Sequence, residues 1–519
     1  MRRFLVRFCG AAMMAMLIPA CGGSGSGPFV PGVVYLADTQ NTTLPELFVA
    51  DLAGTGVRNL SGTLAANGQV GFYVLSPDRT KVAFEAEKDT PGVVELYVVP
   101  VTGGTPVKVS GPLVAGGFVS NGDVAWAPDG SRLAYMAIQS TPGVMELYSV
   151  NPDGTGNVKV SGALIAGGFV DSFKWSPDGT MIAYRAIQDT AGVFELYKSL
   201  AAGGFNNQIS GTLVAGGSVT SSYEWRPDSS AVAYLANQES SVTFELYSTT
   251  PTISPVVTKL SGPMAPNGDV IAYAWAPDGS RIAYTADQFV DAKPELFTSL
   301  PDGTSNLLLS GTLTTSTTAF AWSPDSTSVA FIGAEAGIDE LYVAPATGIT
   351  KVKVNGPLVA GGRVELFRWA PDGSRIAYQA EQLVDDLVEI FTSLPDGTQN
   401  AKISGELVPG GRISFFKWAP NSQRIGYLAY RLGVTQNDLF TALADGSGDG
   451  QVAPHSLGIG GFYDFIWGLD STSIVYTSVQ DTPATRELYS CPDASKAWNR
   501  KLSGPMVPGG NIISLVVLR

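Results

Sequence analysis

A Pro-Asp pair returns along this chain at an almost fixed interval. It stands at Pro77, Pro128, Pro177, Pro227, Pro277, Pro324 and Pro371, then weakens to Pro420-Asn421 and Leu469-Asp470. The steps are 51, 49, 50, 50, 47, 47, 49 and 49 residues. A repeat of that period restricts the chain to architectures that stack one supersecondary unit many times. Eight of the nine tryptophans stand just before the pair, at Trp126, Trp175, Trp225, Trp275, Trp322, Trp369, Trp418 and Trp467. The tryptophan therefore belongs to the unit.

The unit is clearest from Phe173 to Ser199, FKWSPDGTMIAYRAIQDTAGVFELYKS. Phe173 and Trp175 alternate with Lys174, which is strand patterning. Ser176-Pro177-Asp178-Gly179 is a turn, because Pro177 fixes φ and Gly179 accepts the positive φ that reverses the chain. Four strands are expected in this unit: Val170 to Trp175, Met181 to Ala186, Phe194 to Ser199, and Asn207 to Ser210. Ile182-Ala183-Tyr184 is apolar on both faces, as in a sheet packed between two others. Small Ala183 lets one neighbour come close while Ile182 and Tyr184 fill the other side. The Asp of each turn reads as a group bonding its own backbone. The Glu of the Glu-Leu-Tyr strand reads as part of the unit's internal bonding.

The string W-S-P-D-G-x-x-I-A-Y followed by E-L-Y resembles the repeat of TolB-type β-propellers. It is also similar to the N-terminal propeller of the dipeptidyl peptidases. The resemblance covers nearly all of the chain after residue 32 and implies an all-β propeller. The TolB likeness implies protein–protein contacts in a bacterial envelope. TolB itself carries an additional N-terminal α/β domain with no counterpart in this sequence, so a Tol-system role does not follow. A peptidase site would need a nucleophile elbow on an α/β domain, and the likeness stops at the non-catalytic half.

The Glu-Leu-Tyr strand occurs ten times, at Glu46, Glu95, Glu146, Glu195, Glu245, Glu295, Glu340, Glu389, Asp438 and Glu487. The first of these units lacks its opening strand. The chain ends with Ile512, Leu515 and Val517 in the places that Val170, Phe173 and Trp175 hold. The sequence thus predicts ten four-stranded blades closed by pairing of the N- and C-terminal strands. Ten exceeds the usual four to eight, and two smaller rings are the alternative. Their seam would fall at Leu313 to Thr317, where the spacing shrinks to 45 between Glu295 and Glu340.

Residues 1–21 read as a lipoprotein signal, 22–32 as a Gly/Ser tether and 33–519 as the propeller. Arg2, Arg3 and Arg7 precede the apolar run Phe8 to Ile18, which is too short to span a bilayer. The run ends Leu17-Ile18-Pro19-Ala20-Cys21, similar to a lipobox, with Cys21 the lipidated residue. Cys9 lies in the signal, so Cys21 and Cys491 remain and no disulfide framework is possible. Cys491, before Pro492 in a turn, reads as a passive residue. The formal charge is −14; without the signal it is 29 basic against 46 acidic residues, or −17. Such a surface repels phosphate backbones, which excludes nucleic acid. Membrane contact is expected through the N-terminal lipid only.

The one histidine, His455, has no Cys or acidic neighbours at metal-ligand spacing and reads as a strand-end residue. Propellers that carry a catalytic metal use several histidines, so neither a metal nor a cofactor is expected. What varies is the loop between second and third strands: KDTPGV at Lys88, QSTPGV at Gln139, QDTAGV at Gln188, QESSVT at Gln238, QFVDAK at Gln288, QLVDDL at Gln382 and QDTPAT at Gln480. A calcium loop needs several oxygen ligands at regular spacing, and this pattern falls short of one. These loops and the crossovers such as Leu213 to Gly217 emerge on one face, the Pro-Asp-Gly turns on the other. Variable loops on a rigid scaffold are where binding concentrates. The candidate partner-binding residues are Asp89, Asp189, Glu239, Asp291, Asp385 and Asp386.

The sequence reads as a monomeric, lipid-anchored scaffold in the cell envelope, outer-membrane-bound and facing the periplasm or the cell surface. It would bind envelope proteins without catalysis. An envelope hydrolase or lyase working in the propeller channel is the rival class, and a structural or adhesive surface protein the third. The anchor is directly testable. Cys21→Ser should move the protein from the membrane to the soluble fraction with its melting unchanged, and N-terminal analysis of the wild type should find Cys21 first.

Overall fold

The computed structural model describes residues 30–518 apart from 41, 349, 432–436, 453–460, 483 and 493–498. Cys9, Cys21 and His455 lie outside the described residues. Among the described residues the chain forms ten four-stranded antiparallel sheets and no helix. Blade 1 is split: its first strand is Asn511–Val517, followed by Pro31–Asp38, Glu46–Asp51 and Val57–Asn59. Blades 2 to 10 follow in chain order, their first strands being Val70–Leu75, Val119–Trp126, Val170–Trp175, Val219–Trp225, Val270–Trp275, Thr317–Trp322, Val364–Trp369, Arg412–Trp418 and Phe462–Trp467.

The second strand explains the stacking. Ile182, Tyr184 and Ala186 pack with Ala134, Met136 and Leu147 of blade 3, while Ala183 packs with Tyr223 and Trp225 of blade 5. Each sheet is thus buried on both faces and needs a neighbour on each side. Ten apolar clusters form among the described residues, each drawn from two adjacent blades. One joins blade 10 to blade 1 through Val475, Leu488, Tyr35 and Leu515, and another joins blade 1 to blade 2 through Val34, Leu36, Val82 and Phe84. The ring therefore closes once, around ten blades.

The tryptophans hold the inner edge together. Trp225 Nε1 donates to the Lys174 carbonyl of the preceding blade at 3.0 Å, and Trp322 and Trp467 do the same to Ala274 and Lys417. Trp175 makes this bond to Ala125 at 3.1 Å, although its ring is only partly buried. Trp275 is the exception: its indole N–H is buried without a hydrogen-bond partner. Across the closure, where Val517 and Leu75 take the tryptophan places, Arg79 donates to the Val517 carbonyl at 3.0 Å instead.

The Pro-Asp turns behave as the sequence implied. Asp178 Oδ1 accepts from Ser176 Oγ at 2.6 Å and from the Thr180 N–H at 3.0 Å. A further regularity concerns the residue after Asp. Gly179 has φ 72°, and where Ser229, Ser326, Ser422 and Ser471 replace it, φ stays at 63°, 66°, 64° and 59°. L-residues resist that conformation. Each of these serines offsets the strain by accepting a backbone N–H from the preceding blade's turn at 3.0 Å, from Asp178, Asp278, Asp372 and Asn421 in order.

The short spacing at blade 7 is not a seam. Strands Ser328–Glu335 and Ile338–Pro345 run longer than their counterparts and pair to Glu335 opposite Ile338. The two-residue turn Ala336-Gly337, with φ 54° and 82°, replaces the loop the other blades carry. Leu296 and Leu309 of blade 6 pack with Trp322 and Phe331 of blade 7 as at any other junction.

Closure gives a sharp expectation. Removing residues 511–519 strips Ile512, Leu515 and Val517 from their cluster and leaves the strand Pro31–Asp38 unpaired on one side. At about 1.5–3 kcal/mol for each buried aliphatic side chain, the ring should lose roughly 5 kcal/mol or more and aggregate through the open edge. Denaturant unfolding and light scattering read both effects.

Candidate functional site

The loops between second and third strands meet the crossovers on one face, where the Ile165 and Val359 N–H groups donate to the Gln188 and Glu381 carbonyls, each at 3.1 Å. These loops are less free than their sequences suggest. The glutamine that opens most of them points inward. Tyr184 Oη donates to Gln188 Oε1 at 2.7 Å and accepts the Gly162 N–H of the preceding crossover at 3.1 Å. Asn206 donates to the same hydroxyl and to the Val160 carbonyl of the preceding blade. The same knot recurs at Tyr135, Gln139 and Gly111, and at Tyr378, Gln382 and Gly356. A tyrosine, four residues before a glutamine, was the signal available in the sequence.

These loops vary in side chains and mostly share one backbone form. Gly92, Gly143 and Gly192 have φ 72–74°, and Ala292, Asp386 and Ala484 hold the equivalent place at 58–59°. Blades 2, 3, 4, 6, 8 and 10 therefore present one backbone turn with different side chains on it. Among the described residues the blade 7 hairpin departs strongly.

The six candidate acids are all exposed, and they fall into two groups. Asp89, Asp189 and Glu239 sit one residue after the opening Lys or Gln and face their own blade. Asp89 lies 4.0 Å from Lys108, Asp189 accepts the Tyr197 hydroxyl at 3.0 Å, and Glu239 lies 2.8 Å from Lys259. In blades 6 and 8 that place is Phe289 or Leu383, and the acid moves out to the tip as Asp291 or as Asp385 and Asp386. None of these three has an ion-pair partner among the described residues. The ring does not gather the six acids into one cluster; it distributes them over five blades.

The Glu-Leu-Tyr glutamate is an internal anchor. Glu95 accepts the Tyr97 hydroxyl at 3.0 Å and lies 2.8 Å from Lys108; Glu146 takes Tyr148 at 2.6 Å and Lys159 at 2.5 Å. Blade 8 breaks the pattern. Phe391 has no hydroxyl, Glu389 Oε2 is left without a hydrogen-bond partner, and burial raises its carboxyl above the usual range although Lys402 lies 2.6 Å away. At the inner edge, Lys417 reaches from blade 9 to Asp464 of blade 10 at 2.9 Å and lies 5.2 Å from the rings of Phe415 and Phe465. This charge bridges blades. A recess of about 620 Å³ opens beside blade 1, lined by Asp38, Thr42, Leu44, Glu46 and Asn59 among others. Asp38 is already satisfied there by the N–H groups of Thr42 and Thr43, at 3.0 and 2.8 Å, and no group of metal-ligating side chains occurs among the described residues.

No family model and no curated protein matches the sequence. Solved structures similar to the chain include dipeptidyl peptidase 4 of Porphyromonas gingivalis, at 11% identity and TM-score 0.48 over 80% of this chain and 64% of that one. They also include TolB of Acinetobacter baumannii, at 16% identity and TM-score 0.27 over 53% and 63% of the two chains. An oligogalacturonate lyase in complex with manganese is similar at 15% identity and TM-score 0.37 over 70% and 97%. Both groups named from the repeat stand among these structures, together with an enzyme of another class. Likeness at this level carries no residue role to this chain.

One titratable group stands apart. Glu85, on the second strand of blade 2, is fully buried. Its Oε2 accepts the Gly122 N–H of blade 3 at 2.8 Å, and its Oε1 has no hydrogen-bond partner. Burial pushes the carboxyl up to about 8, and Asp123 acts in the same direction. Closed off from solvent, it cannot hand a proton to a substrate, but it does couple folding to pH. The folded state holds this proton while the unfolded chain releases it. Its contribution is therefore fully present below the ordinary carboxylate range and is lost as pH rises through about 8. Glu85→Gln should flatten that fall, stabilising the ring by roughly a few kcal/mol at alkaline pH and little in mild acid. Thermal melting of both proteins across that range reads the difference.

Proposed function

We propose that this chain is a non-enzymatic binding scaffold of the bacterial cell envelope, held to the membrane by a lipid at Cys21. Its second-to-third-strand loop face captures partner proteins. One observation carries the reading: a closed ring presents the same loop backbone on six of its blades and changes the exposed side chains on it. A partner on the Pro-Asp face meets nearly the same turn at every blade and cannot fix its rotational position. A partner on the loop face meets a different set of groups at each position, and a rigid scaffold spends little entropy in ordering them. Charge reinforces this. The chain carries −14, and Asp291, Asp385 and Asp386 add exposed acid on this face. A basic patch on the partner is the complement, and association should slow as salt rises.

The test is capture from cross-linked envelope by the purified ring, in low and high salt. Asp385→Lys with Asp386→Lys should reduce recovery of the main captured protein about fivefold or more. Asp178→Ala should lower stability and leave capture by the folded fraction unchanged. Capture that ignores salt and the reversed charges, yet responds to the turn face, would refute the reading. Turnover of envelope glycans or peptides by the pure protein would replace it with the enzymatic one.

A further inference from the structure

Two properties that need not coincide do so on blades 6 and 8. The first is exposed apolar surface. Phe289 and Val290 are 62% and 54% exposed, and Leu383 and Val384 are 58% and 52% exposed. The same two places in blades 2 and 3 hold Asp89-Thr90 and Ser140-Thr141. The second is acid left free of an ion pair, Asp291 on one loop and Asp385 with Asp386 on the other. Local packing allows both. In blade 6, Phe297 and Leu308 replace the tyrosine and lysine that an inward acid would bond, and Phe289 rests against Phe297 with ring centres 5.8 Å apart. In blade 8, Phe391 again removes the hydroxyl.

Blade 7 lies between them with the shortest loop of the described set. Its Ala336-Gly337 turn is tied down by the Gly337 N–H donating to Thr314 Oγ1 at 2.9 Å, and Ile338 beside it is 41% exposed. The result is a notch: two apolar prongs, each tipped with acid, flanking a low apolar floor. Basic side chains nearby are already paired. Lys293 lies 3.5 Å from Glu295, Lys351 2.8 Å from Glu335, and Arg363 2.9 Å from Glu365.

We propose that blades 6 to 8 form the principal docking surface, and that it takes a basic protein segment bearing apolar side chains that reach the two prongs. This rests on the loop-face reading above and narrows it to one arc of the ring. Charge complementarity selects the occupant. An interfacial membrane site sets basic residues beside its apolar ones, whereas these prongs carry acid that anionic lipid repels. A second copy of this chain would bring like charge against like.

The probes are three labelled peptides: lysine-rich with two leucines, all-lysine, and the leucine peptide with glutamates for lysines. Binding is read by anisotropy to the intact ring, to Phe289→Ser with Val290→Thr, to Leu383→Ser with Val384→Thr, and to Pro91→Ser with Pro142→Ser as a control. The substituted side chains are exposed, and unchanged melting confirms that each ring is intact. The leucine-bearing basic peptide should bind best, each prong variant should weaken it about tenfold, and the control should match wild type. Equal binding of the leucine and all-lysine peptides, or prong variants that match wild type, overturns the proposal. If Asp385→Lys with Asp386→Lys still weakens binding in that case, the loop-face reading stands without it; if not, both fall. Prong-dependent binding to phosphatidylcholine vesicles would assign the surface to membrane instead. Prong-dependent self-association in sedimentation would assign it to a second copy, and either result overturns the proposal.

Discussion

The structure depends on sheets that have no solvent face. Ile182 and Tyr184 fill the space on one side of their strand, and Ala183 leaves room on the other for the next blade's tryptophan. A single blade of this kind exposes two apolar surfaces, so it gains stability only between neighbours. An open stack would leave both ends exposed. The ring removes the ends, and the split blade places the closing joint inside a hydrogen-bonded sheet, with Val33 to Asp38 paired against Asn511 to Val517. Ring closure is therefore a consequence of two-sided burial, and the chain termini serve it.

Polar groups follow the same logic. Where blades meet, the backbone groups of the crossovers need partners, and the tyrosine, glutamine and asparagine knot supplies them from the next blade. The indole N–H groups do the same at the inner edge, and the serines of positive φ do it between turns. Each junction combines an apolar cluster with several bonds that cross it. This makes a rigid frame, and a rigid frame can display unlike side chains without altering its own geometry. The proposed docking surface lies where the repeat lapses. Blades 6 and 8 lose the tyrosine hydroxyl, as blades 1 and 9 also do at Phe48 and Phe440, blade 7 loses its loop, and Phe289, Val290, Ile338, Leu383 and Val384 are exposed on these three blades.

Much of this was legible in the residues. The period, the four strands per unit, the split blade and the count of ten follow from recurring local patterns. So does the turn role of Asp178, because an aspartate before glycine bonds its own backbone wherever the turn forms. The internal role of the Glu95 and Glu146 carboxyls was legible from their recurrence alone. The loop face was legible as a place, since antiparallel order fixes which connections share an end of the sheet.

The availability of each acid was not legible. Asp89 and Asp291 look alike in sequence, each a lone acid in a variable loop. One lies 4.0 Å from a lysine of its fourth strand nineteen residues on, Lys108, and the other stands where Phe297 and Leu308 offer no such partner. The short spacing at blade 7 read as a break and is a tighter hairpin. The opening glutamines read as loop, yet Gln139, Gln188 and Gln480 are buried and Gln238, Gln288 and Gln382 are half-buried. In each case the sequence determined the backbone, because turns, strands and period are set by neighbours along the chain. Only the tertiary structure decided which side chains remained exposed, because a group's partners come from the next strand and the next blade.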